Sequence, residues 1–104
     1  MSMEIINQLF DVVYYGADLE FKYNGYYYFV NSGKTTKDGN GVHQINVSKS
    51  EYSFYNGTAD GKSVEIFNIC NIDSHKNTED FFNAKIFEGK TLYEAIDNVT
   101  EINY

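Results

Sequence analysis

The sequence predicts an α+β fold in which an antiparallel sheet of about four to six strands is packed by an N-terminal helix and one or two short C-terminal helices. Apolar residues in 3–15 recur at helical spacing, two alternating runs flank Asn24-Gly25, and no strand–helix–strand repeat of a parallel sheet is present. At 104 residues the chain is long enough for one domain and too short for two. Residues 1–104 are therefore predicted to form a single unit.

Residues 3–15 are predicted to form an amphipathic helix. Apolar side chains stand at the i, i+3 and i+4 positions, namely Ile5, Ile6, Leu9, Phe10, Val12 and Val13. Ser2 can serve as the N-cap because its hydroxyl can accept a hydrogen bond from the first turn. Gly16 stands just past the helix end, where the left-handed backbone conformation favours glycine. These two residues set the predicted limits of the helix.

The two alternating runs around Asn24-Gly25 predict a β-hairpin, because this dipeptide favours a two-residue type I′ turn. Counting outward from the turn gives the register: Tyr23 opposite Tyr26, Lys22 opposite Tyr27, Phe21 opposite Tyr28, Glu20 opposite Phe29 and Leu19 opposite Val30. The face that carries Phe21 is predicted to be core. The other face leaves Tyr27 and Phe29 beside charged residues.

The middle of the chain is predicted to contain a loop and three strands. Residues 31–41 are rich in Gly, Lys, Asn and Asp, which is typical of a mobile polar loop. The segments 42–47 and 52–55 alternate, and His43 shares the apolar face of the first. The run 63–72 is apolar on both sides over its middle, which is typical of a central strand covered on two faces. A helix is therefore expected over this part of the sheet.

The C-terminal part is predicted to contain short helices. Asn77-Thr78-Glu79-Asp80 has the pattern of a helix start, since acids in a first turn complement the helix dipole, and residues 84–87 are predicted to extend again. Thr91 and Glu94 have the spacing of a capping box, which indicates a second short helix. Residues 101–104 are predicted to form an edge strand.

The charge of the chain is strongly negative and unevenly distributed. The formal net charge is -7 at pH 7, all eight basic residues are lysine, and residues 65–104 carry eight acids against three lysines. Contacts with phosphates are therefore disfavoured, whereas approach to a basic protein surface is favoured and should depend on salt. We expect no direct nucleic-acid binding.

The predicted location is the cytoplasm of a host cell. The single Cys70 has no partner for an internal disulfide, which agrees with a reducing compartment. The N-terminus lacks a signal-peptide pattern, and no apolar run approaches the roughly 20 residues of a membrane-spanning helix. We therefore expect no membrane association.

Patterns that could carry chemistry are weak. Gly33-Lys34-Thr35-Thr36 is similar to the end of a phosphate-binding loop, but Tyr28 stands where that motif needs its first glycine. Cys70 could pair with His43 or His75 as a thiolate and its base, yet an apolar strand makes this thiol a small hydrophobe. A zinc site would need more ligands at closer spacing than Cys70 and its neighbours provide. We predict no enzymatic activity, no metal and no cofactor.

Aromatic residues are in surplus. Ten tyrosines and eight phenylalanines exceed what a core of this size can enclose. Tyrosine contributes rigid contact area with a polar tip at protein interfaces. Strand parity makes Tyr27, Phe29 and Tyr55 candidates for exposure, to be covered by a partner protein, by another layer or by a second copy in a homodimer.

Two segments carry a recognisable pattern: Leu19-Glu20-Phe21-Lys22-Tyr23-Asn24-Gly25-Tyr26-Tyr27-Tyr28 and Phe87-Glu88-Gly89-Lys90-Thr91-Leu92-Tyr93-Glu94. They resemble small uncharacterised proteins of phages and mobile elements in low-G+C Gram-positive bacteria, with the patterns EFxYNGKxY and FxGKTLxE; here Tyr26 replaces the lysine of the first. The likeness covers about the first 30 and the last 20 residues. It implies a phage accessory product, a class in which small acidic proteins are often inhibitors of host defence, anti-CRISPR proteins among them.

The predicted function is a non-enzymatic inhibitor that docks onto a basic, nucleic-acid-binding site of a host protein, such as a CRISPR-associated nuclease. The predicted contact residues are six acids that steer the encounter and two tyrosines that anchor it: Asp73, Glu79, Asp80, Glu88, Glu94, Asp97, Tyr27 and Tyr93. One alternative is a sequestrant of a small molecule or nucleotide, or a small enzyme, with a Tyr- and Phe-lined pocket that uses His43 or Cys70. Another is a phage structural or assembly protein.

Overall fold

The computed structural model describes residues 3–104, so the predicted N-cap Ser2 lies outside the described residues. The elements in chain order are helix α1 (Met3–Tyr14), strands β1 (Leu19–Tyr23), β2 (Tyr26–Lys37), β3 (Asn40–Ser50) and β4 (Val64–Asn71), helices α2 (Ser74–Asn83) and α3 (Leu92–Ala95), a 3-10 turn (Ile96–Asn98) and strand β5 (Thr100–Asn103). In this part of the chain the strands form one antiparallel sheet in the order β4-β3-β2-β1-β5. The predicted α+β fold class is confirmed.

Helix α1 packs on the sheet through one apolar stripe, whose buried members are Ile6, Leu9 and Val13. Its end agrees with the prediction, because Gly16 has a φ of +83° and the Ala17 amide donates to the Val12 carbonyl at 2.9 Å. A Cβ at position 16 would also lie 3.1 Å from the Cα of Gly33. Glycine is therefore favoured at the point where the end of α1 approaches β2.

The β1–β2 hairpin has the predicted register at all five residue pairs. Asn24 and Gly25 have φ values of +52° and +84°, as a type I′ turn requires. One face of the hairpin points into the core with the buried side chains Leu19, Phe21, Tyr23, Tyr28 and Val30. The hairpin prediction is confirmed.

Residues 31–41 are not the loop that their composition predicts. Strands β2 and β3 continue through this segment and pair in an antiparallel ladder. The connection is made by Asp38 and Gly39 alone, whose φ values of +53° and +80° form another type I′ turn. Ser32 anchors the strand to the end of α1, since it is buried and its hydroxyl donates to the Ala17 carbonyl at 2.6 Å. The Asp38-Gly39 dipeptide, which favours a hairpin turn, thus predicts this segment better than its polar composition does.

Between β3 and α2 the strand predicted at 52–55 is wrong, whereas the strand predicted at 63–72 is present as β4 but not in the predicted position. Residues 52–55 do not form a strand but belong to an irregular segment, 51–63, that folds back over β1 and β2. Strand β4 lies at an edge of the sheet rather than at its centre. Its apolar run was misleading because Ile66 and Phe67 both pack against the core at a β-bulge. Cys70 is exposed on this strand, not enclosed.

Helix α2 begins before the predicted start at Asn77. Asp73 is the N-cap, and its Oδ1 accepts a hydrogen bond from the Lys76 amide at 3.0 Å. Asn77 and Thr78 therefore lie inside the helix, where both are buried. Aspartate, asparagine and threonine are all favourable N-caps, so the sequence offers possible helix starts at both Asp73 and Asn77.

The link between α2 and α3 is a tight turn, not the predicted extension at 84–87. The residues on either side of Glu88-Gly89 pair through two backbone hydrogen bonds of 3.1 Å, and Phe87 is fully buried. Helix α3 begins with the predicted capping box between Thr91 and Glu94, which is confirmed in both directions. The predicted C-terminal edge strand corresponds to β5.

The sheet has two unlike faces. The helix-covered face carries the core, in which Leu9 of α1 and Phe81 and Phe82 of α2 join the buried residues of β1, β2 and β3. The outer face is partly covered by the segment 51–63. The rest of the outer face is polar and carries Asn31, Gly33, Gln44, Asn46, Asn68 and Cys70. These two faces decide which of the predicted contact residues can share a surface.

Tyr28 is buried in the core, and its hydroxyl makes no hydrogen bond within residues 3–104. Burial, with a smaller contribution from the Glu88 carboxylate, raises the pKa of Tyr28 from 10.0 to about 12. The folded state therefore holds this proton more tightly than the unfolded chain. The associated stability is complete below pH 10 and is lost as the pH rises towards 12.

We expect Tyr28→Phe to change the free energy of unfolding by less than about 1 kcal/mol at neutral pH, because the removed hydroxyl has no partner. Between pH 10 and 12 the free energy of unfolding of the wild type should fall by about 1–3 kcal/mol more than that of this variant. Urea denaturation at each pH measures the difference, with the exposed Tyr15→Phe as control. Equal losses in the wild type and Tyr28→Phe would contradict the prediction.

Candidate protein-interaction surface

The predicted acids at α2 are accessible to solvent, and each has a local partner. Asp73 caps the helix, Glu79 Oε1 lies 2.9 Å from His75 Nδ1, and Asp80 Oδ2 lies 2.8 Å from Lys76 Nζ. The hydrogen bond from Lys76 to Asp80 raises the pKa of the lysine. Because residues 73–83 carry three acids and one lysine, the helix surface keeps a negative balance.

The other predicted acids lie between α2 and β5. Glu88 accepts a hydrogen bond from Asn24 Nδ2 at 3.0 Å and lies 3.9 Å from Lys49 Nζ, so the turn before α3 contacts the β1–β2 turn. A backbone N–H of the capping box lowers the pKa of Glu94. Asp97 is exposed on the 3-10 turn. Glu88 and Glu94 therefore hold local structure in addition to carrying charge.

The two predicted anchor tyrosines lie on opposite sides of the molecule. Tyr27 is on the outer face, where its hydroxyl donates to Glu101 at 3.3 Å and Lys22 Nζ lies 5.3 Å from its ring centroid. Tyr93 belongs to the helix layer, and its ring centroid lies 5.6 Å from that of Phe82. The structure thus groups Tyr93 with the acids of α2 and α3, and separates Tyr27 from them.

The helix layer carries aromatic side chains that the sequence analysis did not single out. We call them the helix-layer aromatic row, which consists of Tyr15, Tyr14, Phe10, His75, Phe82 and Tyr93. Ring centroids are 4.9 Å apart for Tyr14 and Tyr15, and 5.7 Å apart for Phe10 and His75. All members except Phe82 are at least partly exposed. The sequence indicates part of this row, because Phe10 and Tyr14 are four residues apart and therefore share one face of α1.

His43 is a buried structural residue on the helix-covered face. Its Nε2 lies 3.0 Å from the Val13 carbonyl, and its Nδ1 lies 3.3 Å from the Asn77 amide nitrogen. That nitrogen also donates to the His43 carbonyl at 2.9 Å. Since a carbonyl only accepts and an amide nitrogen only donates, Nε2 acts as the donor to Val13 and Nδ1 as the acceptor from Asn77. His43 and Asn77 therefore connect β3, α2 and the end of α1.

The thiol of Cys70 does not lie next to His43 or His75, the two histidines with which it could have formed a thiolate–base pair. Cys70 lies opposite Gln44 on the outer face, whereas His43 points to the other face of the same sheet. His75 lies on the first turn of α2, where it contacts Phe10 and Glu79. Residues 3–104 contain no group of three or more His, Cys, Asp or Glu side chains placed to hold a metal ion.

The surface cavities of the described residues are open to solvent and have both polar and apolar linings. A cavity of about 370 Å³ on the outer face is lined by Asn31, Gly33, Lys34, Thr35, Gln44 and Asn46. One of about 220 Å³ is lined by Lys34, Gly41, Val42, His43, Ile72 and Ser74. Gly33 and Lys34 lie on extended β2, so they do not form the compact phosphate-binding loop that their residue types suggest. A further cavity of about 330 Å³ on the segment 51–63 has Phe54 in its lining, whereas the first two are lined by neither tyrosine nor phenylalanine.

Glu20 is a buried carboxylate, although the alternation of residues along its strand assigns it to the face away from the predicted core. It is 1% exposed and accepts hydrogen bonds from the Ser53 hydroxyl and from the Phe54 and Tyr55 amides. The segment 51–63 is thereby held over the outer face, where Phe54 stacks on Phe29 at 5.2 Å. A layer of the same chain therefore partly covers Phe29, while Tyr55 remains half exposed.

No helix within residues 3–104 is long and apolar enough to span a membrane. Comparison with protein-family models, curated proteins and solved structures finds no match to this chain. A functional conclusion therefore rests on the surface of the molecule itself.

Proposed function

We propose that this chain is a non-catalytic binding protein that docks onto a basic, nucleic-acid-binding site of another protein and blocks it. The observation that carries the proposal is the uneven charge, since residues 65–104 hold eight acids and three lysines. The acids of α2 and the 3-10 turn remain accessible to solvent. Such a surface accelerates encounter with a positively charged protein and repels phosphates.

The resemblance to phage and mobile-element proteins supports a host defence protein as the target, including a CRISPR-associated nuclease. Nucleases of that class hold their nucleic acid in a positively charged channel. An acidic protein that occupies the channel competes with the nucleic acid for the same positively charged groups of the nuclease. Tyr93, which is exposed and packs against Phe82 of the acidic helix α2, offers contact area of the kind found at interface centres.

Charge reversal at three acids tests the proposal. The variant Glu79→Lys, Asp80→Lys, Asp97→Lys leaves the helix caps Asp73 and Glu94 intact. We expect it to bind the target at least about tenfold more weakly, because electrostatic attraction becomes repulsion. The measurement is a pull-down from host lysate at low and high salt, followed by a binding constant for the isolated target and competition by its nucleic acid.

The matched control reverses the same number of acids away from α2. Asp18→Lys, Glu51→Lys, Asp60→Lys alters three exposed carboxylates and changes the net charge equally. We expect this control to retain most of the binding, with both variants folded by circular dichroism. Binding that is insensitive to salt and to the α2 reversal, or not displaced by the target's nucleic acid, would refute the proposed function.

A further inference from the structure

The helix-layer aromatic row presents tyrosine rings that the molecule itself leaves uncovered. Tyr15 is 73% exposed and Tyr93 is 44% exposed, and ring contacts through Tyr14, Phe10 and Phe82 connect them. Helices α1 and α2 pack side by side and carry Phe10, Tyr14, His75 and Phe82; Tyr15 directly follows α1, where its amide donates to the Asp11 carbonyl, and Tyr93 lies on α3. Rigid, exposed aromatics are the residue type that anchors protein interfaces.

The faces of other tyrosine rings are already occupied by lysines of the same chain. These pairs are Lys49 over Tyr26 at 4.2 Å, Lys62 over Tyr52 at 4.8 Å and Lys22 over Tyr27 at 5.3 Å from the ring centroid. Within residues 3–104 no lysine lies over Tyr14, Tyr15 or Tyr93. An incoming cation would therefore meet no competing lysine at the tyrosines of the row, whereas the other three rings already hold one.

The two helices beneath the row are acidic. Residues 3–14 and 73–83 together carry five acids and one lysine. Asp11 stands four residues before Tyr15 on α1, and Glu79 contacts His75 of the row. Planar rings next to carboxylates suit a guanidinium group better than an ammonium group, because guanidinium can stack on a ring while it donates to a carboxylate.

We infer that the helix-layer aromatic row is a docking surface for arginine side chains of a basic protein partner, with guanidinium groups stacked on Tyr15 and Tyr93. The inference rests on the proposed function, which supplies a basic partner, and it adds the recognition chemistry. It also moves the contact surface from the predicted set of six acids with Tyr27 and Tyr93 to α1, α2 and α3 together. Tyr27, on the outer face, lies outside this surface.

The test compares an oligo-arginine peptide with an oligo-lysine peptide of equal length at low salt. Affinities are measured by calorimetry, and the contact surface is mapped by amide chemical shifts of the labelled protein. We expect the arginine peptide to bind more tightly and to shift residues of α1, α2 and α3. The variant Tyr15→Ser, Tyr93→Ser should weaken arginine-peptide binding about 3- to 30-fold. Lysine-peptide binding should change less.

Tyr52→Ser is the matched control, because Tyr52 is 45% exposed but already has Lys62 over its ring. It should leave the affinity for the arginine peptide within about twofold of wild type. Equal affinity for both peptides, unaltered by the tyrosine changes, would overturn the inference. The same holds if the chemical shifts fall on the outer face. Neither result touches the proposed function, which is tested separately by the salt dependence of target binding, by the α2 charge reversal and by competition with the target's nucleic acid.

Discussion

Replacing Glu20 by leucine is expected to lower the free energy of unfolding by about 2–4 kcal/mol. The carboxylate is buried and accepts hydrogen bonds from the Ser53 hydroxyl and from the Phe54 and Tyr55 amides. Leucine leaves these donors without an acceptor inside the protein. Glu20→Gln keeps one acceptor oxygen, so its loss should be smaller. Urea denaturation measures both.

The loss should also be visible locally. Hydrogen exchange at the Phe54 and Tyr55 amides should accelerate in Glu20→Leu, since the segment 51–63 loses its anchor. The exposed Glu51→Gln is the control and should stay within about 0.5 kcal/mol of wild type. Wild-type stability together with unchanged exchange in Glu20→Leu would show that the carboxylate does not hold the segment.

His43→Leu is expected to destabilise the fold by about 2–4 kcal/mol, because the Val13 carbonyl and the Asn77 amide both lose their ring partner in a buried site. Asn77→Leu should be destabilising for the same reason. The two changes should be coupled by at least about 1 kcal/mol in a double-mutant cycle, since the side chains contact each other. Denaturation of the wild type, the two single variants and the double variant measures the coupling.

The exposed histidine supplies the control for this cycle. His75→Gln should change stability by less than about 1 kcal/mol, because its ring is mostly in solvent and its contact with Glu79 is on the surface. If the His43 and Asn77 variants are additive, the two residues do not act as one hydrogen-bonded unit, and the described arrangement is wrong.

Local signals predicted well the parts of the fold that are specified within a few residues. The Asn24-Gly25 turn determined the β1–β2 register, and alternation identified the core side of the hairpin. The end of α1 at Gly16 and the capping box at Thr91 were predicted from single positions. In each case the interaction joins residues at most a few positions apart, so the sequence contains it directly.

Errors arose where distant residues decide the conformation. The segment 51–63 is held by Glu20, which lies more than thirty residues earlier in the chain. Strand β4 reads as central because its bulge turns adjacent apolar residues to the same face. At 31–41 the composition indicated a loop, whereas pairing along β2 and β3 extended both strands to the Asp38-Gly39 turn.

For the predicted contact residues, too, some properties follow from the sequence and others only from the tertiary structure. The negative balance of residues 65–104 is a property of composition and needed no structure. Which tyrosines accompany those acids did need it, since the sheet separates Tyr27 from Tyr93. Tyr15 joins Tyr93 in one row only because α1 and α2 pack side by side.

The sequence by itself determined the net charge, the acidic C-terminal part, the first helix and the first hairpin. Tertiary structure alone decided that Glu20 and His43 are buried, that Cys70 is exposed, and that Tyr15 and Tyr93 share the helix layer. The physical reason is range: charge is additive over residues and turns depend on near neighbours, whereas burial and shared surfaces depend on contacts between elements far apart in the chain.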